Sequence, residues 1–237
     1  MEFNKIILFI LIVILFIILI SYISKDAKNL SDLTSGETEQ TISSDDLPEG
    51  DSSINFTYSI WFYIDDWNYK YSEVKTLYER ISGSGSSRNV CPSVTFDRAI
   101  NNLNVLVSVY PNEESSQTPT LHSCSIPNIP LQKWCNFLLT SYGRTMDLYL
   151  DGKLVKTCLM DGVPKIVPGS SVKITPNGGF SGWTSSFKYW PEAVNPQKAW
   201  DIYKEGYGGS WLGNLFGKYS LKISVVEGDT EETSITI

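Results

Sequence analysis

The chain has 237 residues, 42% of them hydrophobic and 19% charged, which suits one packed domain with appendages better than a disordered chain or two full domains. Aromatic residues account for 13%, and such broad, flat side chains favour pleated sheets. The formal net charge is −7, and no cluster of Lys and Arg is present to neutralise phosphates, so nucleic acid is excluded as an expected partner.

The first predicted element is an apolar segment near the N-terminus. Ile, Leu, Val and Phe form an unbroken run over residues 6–20, and residues 21–23 extend it to about the length that a helix needs to cross a bilayer. A cleaved signal peptide is the alternative, but its apolar core is usually about 7–15 residues long and ends in a small-residue pattern that this run lacks. We therefore predict a short tail at residues 1–5 and a single transmembrane helix at residues 6–23.

A polar segment follows at residues 24–51. Ser, Thr, Asp, Glu and Gly dominate it and apolar periodicity is almost absent, so we predict a linker. The orientation of the membrane segment stays open, because Lys5 precedes it while Lys25 and Lys28 follow it. Sequons for N-glycosylation begin at Asn29 and Asn55, and they matter only if the large domain faces a lumen.

Residues 52–237 show the two-residue alternation of β-strands. Every second residue from Ile54 to Ile64 is apolar, and the same alternation recurs at residues 103–109, 135–139, 146–150 and 219–225. Asp151-Gly152 favours a type I′ hairpin turn. The best helix pattern is Pro196 to Glu205, which Asn195 caps and Gly206 ends. Short strands at this spacing predict an all-β domain of two stacked antiparallel sheets.

The four cysteines are Cys91, Cys124, Cys135 and Cys158, and none stands in the CxxC pair of a zinc ribbon or thioredoxin-type site. Cys135 and Cys158 are flanked by strand-like apolar residues, so we expect small buried hydrophobic side chains. Cys91 and Cys124 lie beside prolines and loops. A disulfide between these two and a pair of free thiols are both open, and the disulfide requires an oxidising compartment.

Five motifs occur in an order that is similar to a known family. They are YSIWFYI at 58–64, IPLQKW at 129–134, MDLYLDGKLV at 146–155, GGFSG at 178–182 and WDIYKEG at 200–206. Together they resemble the laminin-G-like branch of the concanavalin A-like lectin/glucanase superfamily, over about residues 52–206. That resemblance implies a jelly-roll sandwich of two curved antiparallel sheets.

A second, narrower resemblance concerns the tail GGSWLGNLF at 208–216. It is similar to sandwich-domain proteins of large DNA viruses that infect algae and protists, whose members often carry an N-terminal membrane anchor. This resemblance implies a virion or host-derived membrane as the location, and capsid or coat proteins as partners.

The laminin-G-like resemblance also implies recognition on a sheet face or on rim loops, sometimes with calcium. Calcium prefers oxygen ligands from several loops, and the candidates are Asp97, Asp161 and Asn177, with solvated loop acids as the alternative. Exposed aromatic side chains stack on sugars and anchor protein interfaces, whereas buried ones simply pack inside the sandwich. The aromatic candidates for a ligand or protein interface are Trp61, Tyr63, Trp183, Trp190 and Trp211.

Catalysis is not expected. The glucanase pattern Glu-x-Asp-x-x-Glu is matched literally by Glu227, Asp229 and Glu232, but these residues lie in a polar turn rather than on a mid-chain strand. His122 is the single histidine, which excludes a histidine cluster for a metal, and a Cys124–His122 pair would lie in a loop.

The sequence therefore predicts a non-enzymatic, membrane-anchored structural or interaction protein, with a virion component as the leading interpretation. A lectin-like protein that binds glycans at a surface is the alternative. A glucanase-like hydrolase is the third and weakest hypothesis.

Overall fold

The computed structural model describes residue 15, residues 29–48, 54–85, 88–110 and 118–208, and the backbone of residues 222–227 and 230–236. The strands are β1 (Thr34–Ser35), β2 (Gln40–Ile42), β3 (Phe56–Asp66), β4 (Lys75–Ser82), β5 (Asn89–Phe96), β6 (Leu103–Tyr110), β7 (Thr120–Ile126), β8 (Trp134–Tyr142), β9 (Thr145–Leu150), β10 (Lys153–Leu159), β11 (Val163–Pro164), β12 (Val172–Ile174), β13 (Ser181–Trp190), β14 (Lys222–Glu227) and β15 (Thr230–Thr236). Helix α1 spans Pro196–Glu205, and short 3₁₀ turns occur at Ser44–Asp46 and Pro176–Gly178.

Two antiparallel sheets stack into a sandwich, as the alternation predicted. The first sheet has the order β1-β13-β3-β8-β9-β10, and the second has the order β11-β6-β5-β4-β12-β2 with β7 also paired to β6. Strands β14 and β15 pair with each other in a separate hairpin. The Asp151-Gly152 turn joins β9 to β10 with positive φ at both residues, as a type I′ turn requires.

The core lies between the two sheets. The alternate residues of β3 that the sequence singled out, from Phe56 to Ile64, all point into it and are buried. Aromatic rings join the layers, since Phe62 of the first sheet lies 5.4 Å from Phe96 of the second, measured between ring centroids. Burial of this apolar surface is the main force that stabilises the sandwich.

The predicted linker is wrong for residues 29–48, because this segment contributes an edge strand to each sheet. Thr34 and Ser35 of β1 pair with Thr184 and Trp183 of β13, whereas β2 pairs with β12. Ile42 of β2 is buried in the core. The domain therefore includes these residues as well as those after residue 52.

The cysteine pairing differs from the expectation. Cys124 of β7 forms a disulfide with Cys158 of β10, whereas Cys91 and Cys135 are free and buried. The Cys91–Cys124 hypothesis is wrong because Cys91 lies on the interior strand β5, with β6 between it and β7. Strand β10 is the edge of the first sheet, so the disulfide ties the two sheets together at one side of the sandwich.

The predicted transmembrane helix at residues 6–23 lies outside the described residues, apart from Leu15. In the part of the chain that the structure describes, no helix combines the length and the hydropathy needed to span a bilayer.

Candidate binding site

Helix α1 covers one half of the outer face of the first sheet. Asn195 caps its first turn by accepting a hydrogen bond from the Lys198 backbone N–H at 2.8 Å. The buried side of the helix, Ala199 and Ile202, packs on Leu138, Tyr149 and Trp190 of the sheet. The outer face of this sheet therefore has a second, smaller apolar cluster under the helix.

Close approach between the helix and the β9–β10 hairpin depends on Gly152. A side-chain carbon at this position would lie 2.9 Å from both Trp200 and Tyr203 of α1, and the residue has a φ of 71°. Glycine meets both demands at once. Tyr203 is thereby held against Trp61 of β3, with ring centroids 5.6 Å apart and an angle of 19° between the ring planes.

The other half of this outer face carries a row of aromatic side chains that α1 leaves uncovered. Trp183 of β13 is directly opposite Tyr63 of β3, which is directly opposite Trp134 of β8. Residues directly opposite each other in antiparallel strands share a face of the sheet. We call these three side chains, together with Tyr207, the aromatic row.

Tyr207 joins the row from the segment after α1. Its ring lies parallel to that of Trp134, with 4.4 Å between centroids and 4° between planes. Its backbone carbonyl accepts hydrogen bonds from the hydroxyls of Ser185 and Ser186 at 2.6 and 3.1 Å. An ion pair between Lys188 and Glu205 holds the same segment on the sheet.

The aromatic row is accessible to solvent. Trp183 is 47% exposed and Tyr207 45% exposed, while Tyr63 and Trp134 are partly buried. Lys133, next to Trp134 in the chain, forms an ion pair with Asp151 at 2.9 Å, and the hydrogen bond that its ammonium donates to the Asp151 carboxylate is the main cause that raises the pKa of Lys133. The site thus combines flat apolar surfaces with paired charges at its edge, a composition that suits a mostly uncharged partner surface.

The structure divides the predicted aromatic candidates. Trp183 and Tyr63 lie together in the row, whereas Trp61 is only 5% exposed under Tyr203 and Trp190 is buried under α1. Trp211 lies outside the described residues. Packing, the alternative considered from the sequence, is therefore the observed role of Trp61 and Trp190.

Sequence reasoning missed Trp134 and Tyr207. Trp134 had a usable signal, because its position in the alternation of β8 is opposite to that of the buried residues Cys135 and Phe137. Tyr207 had none, since it follows the end of a helix and its contact with Trp134 depends on how the chain returns over the sheet.

The calcium candidates are not brought together. Asp97 follows β5 and accepts a hydrogen bond from the Ala99 backbone N–H, which is the main cause of its lowered pKa. Asp161 follows β10, and its Oδ2 lies 3.8 Å from Nδ1 of His122. Asn177 lies in the 3₁₀ turn before β13. Among the described residues, no group of three or more His, Cys, Asp and Glu side chains could hold a metal ion.

Both sequon asparagines make local contacts. Asn29 donates to Asp32 Oδ1 at 3.1 Å, and Oδ1 of Asn55 accepts from the Gly143 backbone N–H at 2.9 Å. Glycosylation of either residue stays a prediction.

The arrangement defines an antiparallel β-sandwich with an exposed aromatic surface on one sheet. No protein-family model matches the chain, and no curated protein matches it in sequence. Its fold is similar to the receptor-binding domain of botulinum neurotoxin D, with a TM-score of 0.51 and 14% identity over 73% of this chain and 47% of that chain. It is likewise similar to the binding domain of botulinum neurotoxin serotype G, with a TM-score of 0.51 and 12% identity over 78% of this chain and 49% of that chain.

The chain thus spans less than half the length of these solved structures. At such low identity the likeness establishes the sandwich fold and nothing finer.

Proposed function

We propose that this protein is a non-enzymatic recognition protein, which binds another protein through the aromatic row and is anchored in a membrane by residues 6–23. The observation that carries the proposal is the half-exposed row itself. Aromatic side chains that lie side by side on a rigid sheet present large contact area at little entropic cost, which is how interface anchors work. The order of motifs resembling laminin-G-like domains supports a recognition role.

A virion or host-derived membrane is the proposed location, and a capsid or coat protein the proposed partner. The support is the apolar run at residues 6–23 and the resemblance of the tail at residues 208–216 to viral sandwich proteins. Resistance of the full chain to alkaline carbonate extraction, together with its presence in purified particles, is the expected result. Recovery of the chain in the soluble fraction would contradict the anchor.

Photo-crosslinking tests the interface. A photoreactive amino acid placed at Trp183 should capture a partner in native membranes or particles, and mass spectrometry should identify it. The same probe at Tyr142 is the matched control, because Tyr142 is 70% exposed at the far end of β8 from Trp134. Equal capture at both positions, or none at Trp183, would contradict the proposal.

Glycan binding is the second candidate, and the parallel pair of Trp134 and Tyr207 beside the exposed Trp183 favours it, because aromatic faces stack on sugar rings. A glycan array probed with the full chain decides between the two candidates. Binding that Trp183→Ala abolishes and Tyr142→Ala preserves would support a lectin-like function. An array without signal, combined with capture at Trp183, would leave protein recognition.

A further inference from the structure

A cavity of about 770 Å³ opens between the sheets where β3 begins and β13 ends. Its wall is mostly apolar and aromatic, with Tyr58, Tyr110, Tyr189 and several prolines. This volume lies in the range of about 300–1,000 Å³ that is usual for small-molecule sites. No member of the aromatic row lines the cavity, so it is separate from the site described above.

Arg80 of β4 is the distinctive residue of this wall. The residue is only 6% exposed. Its Nε donates to the Ser170 carbonyl at 3.0 Å, its Nη1 donates to the Tyr58 hydroxyl at 3.3 Å, and the guanidinium lies 5.7 Å from the centroid of the Tyr189 ring. Among the residues that the structure describes, no carboxylate oxygen lies within 4.0 Å of this guanidinium.

The acidic groups around Arg80 do not neutralise it. Burial raises the pKa of Tyr58 above its usual range and is also the main cause of the raised pKa of Tyr189. Burial likewise raises the pKa of the Cys91 thiol in the same wall to about 12. All three groups are therefore neutral at physiological pH. Arg80 stays a cation that has lost most of its water and, within the described part of the chain, has only uncharged acceptors, whereas buried charges in proteins are usually paired.

Of the residues that the structure describes, two further charged ones line the cavity. Lys165 adds a second positive charge, and its Nζ lies 5.5 Å from the centroid of the Tyr110 ring. Asp45 is exposed in the 3₁₀ turn, where Oδ1 accepts from the Ser44 hydroxyl at 3.2 Å. The buried wall thus carries the positive charge and the carboxylate lies at an exposed position, so an anion is favoured deep in the cavity.

We propose that this cavity binds a small amphipathic organic anion, with a singly charged oxyanion head on Arg80 and an apolar body against the tyrosine and proline wall. Arg80 also forms a side-chain hydrogen bond with Tyr189, but its bonds to Ser170, Tyr58 and Tyr189 do not use all five N–H donors of the planar guanidinium, and its fork geometry matches a carboxylate or sulfonate. The apolar body adds burial of hydrophobic surface. The site does not depend on the partner of the aromatic row.

The first test compares three probes that share one body and differ in charge. The full chain in nanodiscs of zwitterionic lipid is titrated with 3-phenylpropionate, 3-phenylpropanol and 3-phenylpropylammonium, and binding is followed by saturation-transfer NMR with empty nanodiscs as the blank. We expect the carboxylate to bind roughly tenfold or more tighter than the alcohol, and the ammonium more weakly than either. Equal binding of the three probes, or no binding of the carboxylate, would overturn the proposal.

The second test changes the protein. Arg80→Gln should weaken binding of 3-phenylpropionate by roughly tenfold or more, and Arg80→Lys by less, because it keeps the charge but loses the fork. Arg88→Gln is the matched control, since Arg88 lies between β4 and β5, pairs with Glu79 and does not line the cavity. An equal loss in Arg88→Gln would refute the assignment.

A third variant tests the site even if Arg80→Gln fails to fold. Ile166 lines the cavity, so Ile166→Trp should fill part of it and weaken carboxylate binding while Arg80 stays in place. Unchanged affinity in Ile166→Trp, with the tyrosine near-ultraviolet circular dichroism signal preserved, would show that the anion binds elsewhere and would overturn the proposal. A parallel titration with 3-phenylpropane-1-sulfonate shows whether the head-group site accepts oxyanions in general.

Discussion

Cys135, on the inner face of β8, should make the sandwich less stable as the pH rises into the alkaline range. Burial, the larger cause, and the nearby Asp151 carboxylate raise the pKa of its thiol from 9.0 to about 12. Between these values the folded thiol keeps its proton while the unfolded one loses it, so the unfolded state binds fewer protons and stability falls as pH rises. The slope is about 1.4 kcal/mol per pH unit for one such group.

Replacement of this thiol isolates its contribution. Between about pH 9 and 11, the free energy of unfolding should fall less steeply in Cys135→Ala than in the wild type, by about 1.4 kcal/mol per pH unit. Urea unfolding of the full chain measures both slopes. Below pH 8 the variant should simply be less stable, because a buried atom is removed. The double replacement of Cys124 and Cys158 is the control, since disulfide-bonded cysteines do not titrate and the wild-type slope should persist. Equal slopes for Cys135→Ala and wild type would contradict the burial argument.

Trp61 of β3 and Trp183 of β13 were both predicted as interface candidates, but their replacement by alanine should change the free energy of unfolding by different amounts. Trp61 is buried beneath Tyr203, so Trp61→Ala should reduce the free energy of unfolding by about 3–5 kcal/mol. Trp183 is half exposed, and Trp183→Ala should cost about 1.5 kcal/mol or less. Urea unfolding followed by far-ultraviolet circular dichroism measures both. Similar losses for the two variants would show that the aromatic row is part of the packed structure and not a free surface.

Alternation along a strand predicts which residues share a face, and it did so correctly for Trp61 and Tyr63. It does not report what covers that face. Helix α1 hides Trp61, while Tyr63 two residues later lies beyond the helix, and this difference depends on where the chain after Trp190 returns. Core positions could therefore be predicted from the sequence, whereas the boundary of the exposed row could not.

A substitution in strand β2 tests whether residues 29–48 belong to the folded domain. Ile42 is buried in the core, so Ile42→Ala should cost about 2–4 kcal/mol of unfolding free energy. Thr41, its exposed neighbour, is the matched control, and Thr41→Ala should change stability by about 1 kcal/mol or less. Chemical denaturation of the full chain measures both variants. Two small, equal effects would restore the prediction that this segment is a linker.

The length of a strand decides whether it could be predicted from the sequence. β1 has two residues and β2 three, which is too short for a two-residue period to emerge from polar surroundings. The long strands β3, β6, β8 and β9 each offer three or more repeats, and the helix α1 carries its own cap residues, so these were predictable. Disulfide pairing needs the strand order across both sheets, and cysteine spacing does not contain that information.

At the scale of the whole molecule, the lysines around residues 6–23 do not decide which way the predicted transmembrane helix is oriented. The Cys124–Cys158 disulfide provides an independent indication. A structural disulfide forms and persists in an oxidising compartment. If residues 6–23 span the membrane, the sandwich lies on the oxidising side and the short tail on the cytosolic side, an arrangement that Lys5 favours and that Lys25 and Lys28 oppose under the positive-inside rule.

Sealed vesicles that carry the full chain test this topology. We expect the sandwich to resist added protease until detergent opens the vesicles, and peptide mapping without reduction to recover the Cys124–Cys158 link. Cys91 and Cys135 provide the internal control, because both are free and buried and should react with an alkylating reagent only after unfolding. Digestion of the sandwich in intact vesicles, with Cys124 and Cys158 alkylated before reduction, would place the domain on the reducing side of the membrane.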